Sequence, residues 1–141
     1  MSTVKARTQV QTYLQFNGRT EEALEFYQTA VGAEVVVMMR FGDAPEACAG
    51  QAPPAEKIMH ACFRIGETEI LATDGGCSKS SGFQGFALTL NLPEVAAADK
   101  VYQALSLGGE AQMPLGKTFF ATAFGTLVDK FGVSWSIIVP A

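Results

Sequence analysis

The chain has 141 residues, of which 48% are apolar and 17% charged, enough apolar surface for one packed domain and too much for a disordered chain. Ten basic against fourteen acidic residues give a net charge of −4. With no Lys/Arg cluster, neither nucleic acid nor an anionic membrane surface is expected as a partner. The longest strongly apolar runs, Val35–Met39 and Ile137–Val139, fall far short of the ~20 residues of a spanning helix. Met1–Gln9 lacks the apolar stretch of a signal peptide. Cys48, Cys62 and Cys77 are odd in number and form no C-x-x-C, so reduced thiols in a cytoplasmic protein are expected, not disulfides or a zinc knuckle.

In chain order, Gln9–Phe16 is rich in β-formers and reads as a strand. The polar turn Asn17-Gly18-Arg19 leads to a helix over Glu21–Val31, with Ala23, Leu24, Tyr27, Ala30 and Val31 on one apolar face. Thr20 is its expected N-cap and Gly32 its stop. Strands follow at Glu34–Phe41, Lys57–Ile65 and Thr68–Thr73, with a Pro/Ala/Gly-rich stretch, Gly42–Glu56, after the first and a hairpin turn at Gly66-Glu67. Phe83–Leu92 is the next strand. Pro93 opens a helix over Val95–Leu107, whose inward face is Val95, Ala98, Val101, Tyr102 and Leu105, and Gly108-Gly109 ends it. Glu110–Leu115 is a weaker strand; Thr118–Val128 and Val133–Val139 are stronger ones joined by a turn at Lys130-Phe131-Gly132.

The order β-α-β-β-β thus occurs twice. The first strand, turn and helix recur at an offset of 76, and Arg64-Ile65-Gly66 matches Lys130-Phe131-Gly132 at 66, the Gly42–Glu56 loop accounting for the difference. This predicts an α+β fold of two βαβββ modules in one domain, residues 1–74 and 83–141, with residues 75–82 as a linker. The linker, Gly75-Gly76-Cys77-Ser78-Lys79-Ser80-Ser81-Gly82, fails the P-loop pattern because Ser78 stands where glycine must precede Lys79.

Tyr13-Leu14-Gln15-Phe16-Asn17-Gly18, Glu22-Ala23-Leu24-Glu25-Phe26-Tyr27, His60-Ala61-Cys62-Phe63-Arg64-Ile65-Gly66 and Phe124-Gly125-Thr126-Leu127-Val128-Asp129-Lys130-Phe131-Gly132-Val133-Ser134-Trp135 carry a resemblance. The chain resembles the PhnB-like branch of the vicinal oxygen chelate superfamily, which includes glyoxalase, fosfomycin-resistance, bleomycin-resistance and extradiol dioxygenase proteins. The resemblance implies curled mixed sheets forming a cleft, a homodimer and a small-molecule ligand. Three functions stay open: a small-molecule-binding protein, a metal-dependent lyase, isomerase or dioxygenase-type enzyme, and a metal-free dimer that sequesters a drug or metabolite.

The superfamily's metal ligands fall here on Gln11 or Thr12, on Leu71, on Phe86 or Ala87 and on Ser136, which suit no divalent transition ion, so no metal or other cofactor is expected. The PhnB-like branch often bears a methyltransferase description, but this chain contains no G-x-G and its repeat order does not give an αβα sheet. The candidate catalytic pair is His60, the single histidine, on one strand face with Ile58 and Cys62, and Asp74, at a strand end before Gly75-Gly76. Gln11, Tyr13, Lys117, Phe119, Phe120 and Trp135 are the candidate ligand contacts, a mix of rings and polar anchors that suits a pocket. Asp74 as a plain Asp-Gly turn, His60 as a structural or dimer contact and the rings as core filling are the alternatives.

Overall fold

The structure, a computed structural model, describes residues 8–43, 54–75 and 82–141. Most of the Gly42–Glu56 loop, most of the linker, Cys48 and Cys77 lie outside the described residues. The elements are β1 (Tyr13–Gln15), α1 (Thr20–Val31), β2 (Glu34–Arg40), β3 (Ile58–Ile65), β4 (Thr68–Thr73), β5 (Leu88–Asn91), α2 (Val95–Ser106), β6 (Glu110–Gly116), β7 (Ala121–Val128) and β8 (Ser134–Pro140). They build two four-stranded mixed sheets, ordered β1-β4-β3-β2 and β5-β8-β7-β6. In each, the first strand pairs in parallel with the fourth and the other pairs are antiparallel. This is the glyoxalase-like α+β fold, with β-α-β-β-β twice.

Several boundaries move, each for a local reason. The first strand shrinks to Tyr13–Gln15, the residues that face Leu71–Thr73 of β4. Phe83–Leu92 becomes Leu88–Asn91, because Gly82 and Gly85 take left-handed φ of 103° and 80° and break the extended chain. Phe83 instead sets its ring against Phe16. The weaker strand forms in full as β6, an edge strand, which tolerates its Pro114. Pro93 lies outside α2, one residue before the cap position, Glu94. Gly32 ends α1 as expected, left-handed at φ 71°, its N–H on the Tyr27 carbonyl.

The helix N-cap is a correction. Thr20 is the first helical residue, and no side chain of its own segment caps α1. Asp74 does so from the end of β4: its Oδ1 accepts the Thr20 N–H at 2.8 Å, and its Oδ2 accepts the Ile58 N–H at 2.7 Å. A carboxylate there also suits the positive end of the helix dipole.

One apolar core runs through both modules. From α1 it takes Ala23, Leu24, Tyr27 and Ala30, from α2 Ala98, Tyr102 and Leu105, and from the sheets the inward residues such as Leu14, Phe63, Leu127 and Ile137. Tyr27 is the hinge pin: its ring stacks on Phe63 of the first module and meets Trp135 of the second edge-on. Its hydroxyl donates to Asp129 Oδ2 at 2.5 Å, and Trp135 Nε1 donates to the same oxygen at 2.9 Å. Asp129 Oδ1 takes the N–H groups of Phe131 and Val133 at 2.8 and 3.1 Å, shaping the β7–β8 turn. Burial, then the Asp129 charge, push the Tyr27 phenol far above its ordinary value, so it stays a donor.

Candidate functional site

In each sheet alternate residues face the core and the rest face outward, where no described helix covers them. Pairing fixes the outward rows. On the first sheet one row reads Tyr13, Leu71, Cys62, Val37. His60 lies beside it, paired with Met39. The expected grouping of His60 with Cys62, opposite Ala61 and Phe63, holds. Ile58, past the register shift at Met39/Arg40, belongs to the core instead.

The structure brings Tyr13 and His60 together. The Tyr13 hydroxyl lies 3.3 Å from His60 Nδ1, and the rings meet edge-on at 5.9 Å. Phenol and imidazole each donate or accept, so the pair offers a ligand both functions within one small patch. Its surround is apolar: Leu71 is part-covered, and Val37 and Met39 are exposed. Tyr13 is itself 52% exposed. Along the same face Gln11 Nε2 donates to the Glu69 carbonyl at 3.4 Å. Arg64 is shared between Glu34 and Glu69, at 3.2 and 3.8 Å. Cys62 sits inside this frame, its thiol pushed up by burial and by the Glu69 carboxylate, which makes it a poor nucleophile.

The other candidates are placed elsewhere. Asp74 is buried, and both its oxygens are turned to the backbone amides of Thr20 and Ile58. Trp135 is 2% exposed, with its N–H committed to Asp129. Lys117, Phe119 and Phe120 belong to the second module, in the connection from β6 to β7. Phe119 is fully exposed, Phe120 half so, and they continue edge-on to Phe124 at 5.3 and 5.1 Å. Phe124 lies on the outward face of the second sheet, paired with Ile138. The sequence reading missed it, although the alternation Thr122, Phe124, Thr126, Val128 marks that face. It also missed Asp129, whose signal is an aspartate opening an Asp-Lys-Phe-Gly turn.

The residues do not suit the superfamily's metal. Gln11 is held by the Glu69 carbonyl, Leu71 has no donor atom, and Ser136 faces Thr89 across the β5–β8 pair. Among the described residues no three His, Cys, Asp or Glu side chains gather closely enough to hold an ion. No described helix is long and apolar enough to cross a membrane.

Residues 8–138 match the family described as 3-demethylubiquinone-9 3-methyltransferase. Protein YjdN of Escherichia coli K12 is 33% identical over 135 residues, 90% of this chain and 92% of that one. Protein PA1353 of Pseudomonas aeruginosa has a crystal structure that matches with a TM-score of 0.82 at 36% identity, covering 95% of this chain and 98% of that one. A PhnB protein of Bacillus cereus matches at 0.77 and 29%, covering 94% and 99%. The fold alone recurs in a glyoxalase-related enzyme of Fulvimarina pelagi (TM-score 0.64, 16% identity, 94% and 88% covered) and in a fosfomycin resistance protein of Mesorhizobium loti (0.62, 10%, 97% and 94%). The chain therefore belongs to the family of that description, which the PhnB protein shares.

Proposed function

We propose, taking that family membership as the premise, that the chain is a cytoplasmic homodimer that binds a small organic molecule on the outward face of its first sheet. The observation that carries this reading is the Tyr13–His60 pair, hydrogen-bonded at 3.3 Å within an apolar patch that the chain's own helices leave open. Such a patch, mainly apolar with a few polar anchors, has the chemistry of a ligand site. The dimer rests on the same patch: Val36, Val37 and Met39 of β2 are exposed while Val35 and Met38 pack on the core. A strand apolar on both sides calls for cover on both sides, and a second copy provides it. The Phe119–Phe120–Phe124 ladder of the partner copy would supply a ring-lined wall.

In this reading Tyr13 and His60 anchor a polar group of the ligand, Gln11 borders it, and Asp74 and Trp135 hold the framework. The methyl transfer named in the family's description is not part of it, because the chain has no G-x-G loop and its sheets are short and mixed. A thermal-shift screen of metabolites and antibiotics finds the ligand, since one at 100 times its Kd adds about 2.7 kcal/mol. His60→Gln and Tyr13→Phe should then weaken binding roughly 3- to 10-fold, the loss of about one hydrogen bond, with nearly unchanged melting. Equal affinity in both variants would refute the assignment. A stoichiometric metal in protein purified without a His-tag would favour the metal-dependent enzyme instead.

A further inference from the structure

An opening lies at the seam of the two modules, away from the Tyr13–His60 patch. It is a partly open groove of about 300 Å³ between the edge strands β1 and β5 and the β3–β4 hairpin. Ile70, Leu90 and Trp135 line it, together with Thr12 and Thr68, which share the strand faces of Leu14 and Ile70, while Thr89 stands at its rim on the outward row. An opening of this size is at the lower end of ligand pockets. Among the described residues no charged side chain lines it. A charged guest would therefore lose its hydration with nothing to offset it, whereas a neutral guest needs only the threonine hydroxyls for one polar head.

We propose that this seam is a binding site for a small uncharged amphiphile, an aliphatic alcohol or ketone whose chain lies against Ile70, Leu90 and Trp135 and whose oxygen meets a threonine hydroxyl. The site is separate from the Tyr13–His60 patch and does not depend on it. Both modules contribute walls, so an occupant would also brace the seam.

Trp135 is the chain's single tryptophan and forms a wall, so its emission reports occupancy directly. Octanol is titrated against the whole chain while Trp135 fluorescence is followed, with octanoate and octylammonium as charged probes of the same length. The expected result is a saturable change with octanol and affinities at least about tenfold weaker for both ions. Thr12→Phe should fill the opening and abolish the saturable change. Thr68→Phe, at an exposed rim position, does the same if Thr12→Phe fails to fold. A linear response to octanol, equal affinity for the ions, or undiminished binding in a folded filling variant would each overturn the proposal. If neither variant folds, the octanol, octanoate and octylammonium series decides alone.

Discussion

Replacing Asp129 by asparagine should be the most damaging isosteric change in the molecule. The carboxylate is 2% exposed and accepts four donors: the Tyr27 hydroxyl, the Trp135 indole N–H and the amides of Phe131 and Val133. An asparagine keeps one carbonyl oxygen and turns an amide NH₂ toward two donors, whichever way it is flipped. Two buried donors then lose their acceptor, each at about 1–3 kcal/mol and not additively. The expected loss is roughly 2–5 kcal/mol, or about 5–15 °C of melting temperature for a chain of this size. Urea unfolding followed by far-UV circular dichroism measures it without relying on Trp135, whose environment the change alters. Tyr27→Phe removes one donor and leaves Asp129 three, so about 1–2 kcal/mol is expected. In the double mutant the two losses should sum to more than the measured total, because Tyr27 and Asp129 share a bond. An Asp129→Asn protein within about 0.5 kcal/mol of wild type, at unchanged denaturant slope, would refute the reasoning.

Thr20 Oγ1 is buried with no hydrogen-bond partner among the described residues, so Thr20→Val, which keeps its shape and its backbone bond to Asp74, should raise stability by about 0.5–1.5 kcal/mol in the same urea assay. Asp74→Ala strips the acceptor from the Thr20 and Ile58 amides and should cost about 2–4 kcal/mol by thermal melting, while ligand affinity per folded molecule stays intact. Tyr27 is held protonated in the fold, its phenol raised above the ordinary 10.0, so its contribution is complete below pH 10 and declines as pH rises above that value; melting from pH 8 to 11 should show a fall that Tyr27→Phe reduces.

The helices and inner strands were legible because their signals are periodic. Ala23, Leu24, Tyr27 and Ala30 are buried as their spacing implies, and β4 keeps its bounds, Thr68–Thr73. The module-opening strands β1 and β5 were not, because pairing decides their length and the partner is far away in sequence: Val10 is β-prone yet 95% exposed, with no strand partner among the described residues. The repeat offset also shifts. With Tyr13 set against Thr89, the paired rows place Leu71 opposite Ser136 and Cys62 opposite Thr126, offsets of 65 and 64 instead of 66. The second hairpin has the longer turn, which Asp129 holds with its carboxylate. At the site, sequence pointed to His60 through alternation, but its partner Tyr13 is 47 residues away and no spacing rule joins them. The capping role of Asp74 was hidden for the same reason: the α1 N-terminus that its carboxylate meets, at Thr20, is 54 residues away.

The outward rows of the two sheets differ in their side chains. Tyr13, Leu71, Cys62 and Val37 on the first correspond to Thr89, Ser136, Thr126 and Met113 on the second. The inward positions of both sheets are held apolar by one shared core, where each change of volume is felt. The outward positions carry no such constraint, so two modules built alike are free to differ there. The second sheet presents short hydroxyls and, beyond them, the Phe124–Phe120–Phe119 rings, a surface suited to apolar contact. The first presents the phenol and imidazole side by side. A ligand held between two such faces would be oriented by the first and covered by the second. Tyr13→Phe should therefore alter which polar groups the ligand must carry, and Phe120→Ala should weaken all ligands by a similar factor. A competition series of ligands differing in one hydroxyl, run on both variants, measures this; a uniform loss in both would mean that the faces do not divide the work.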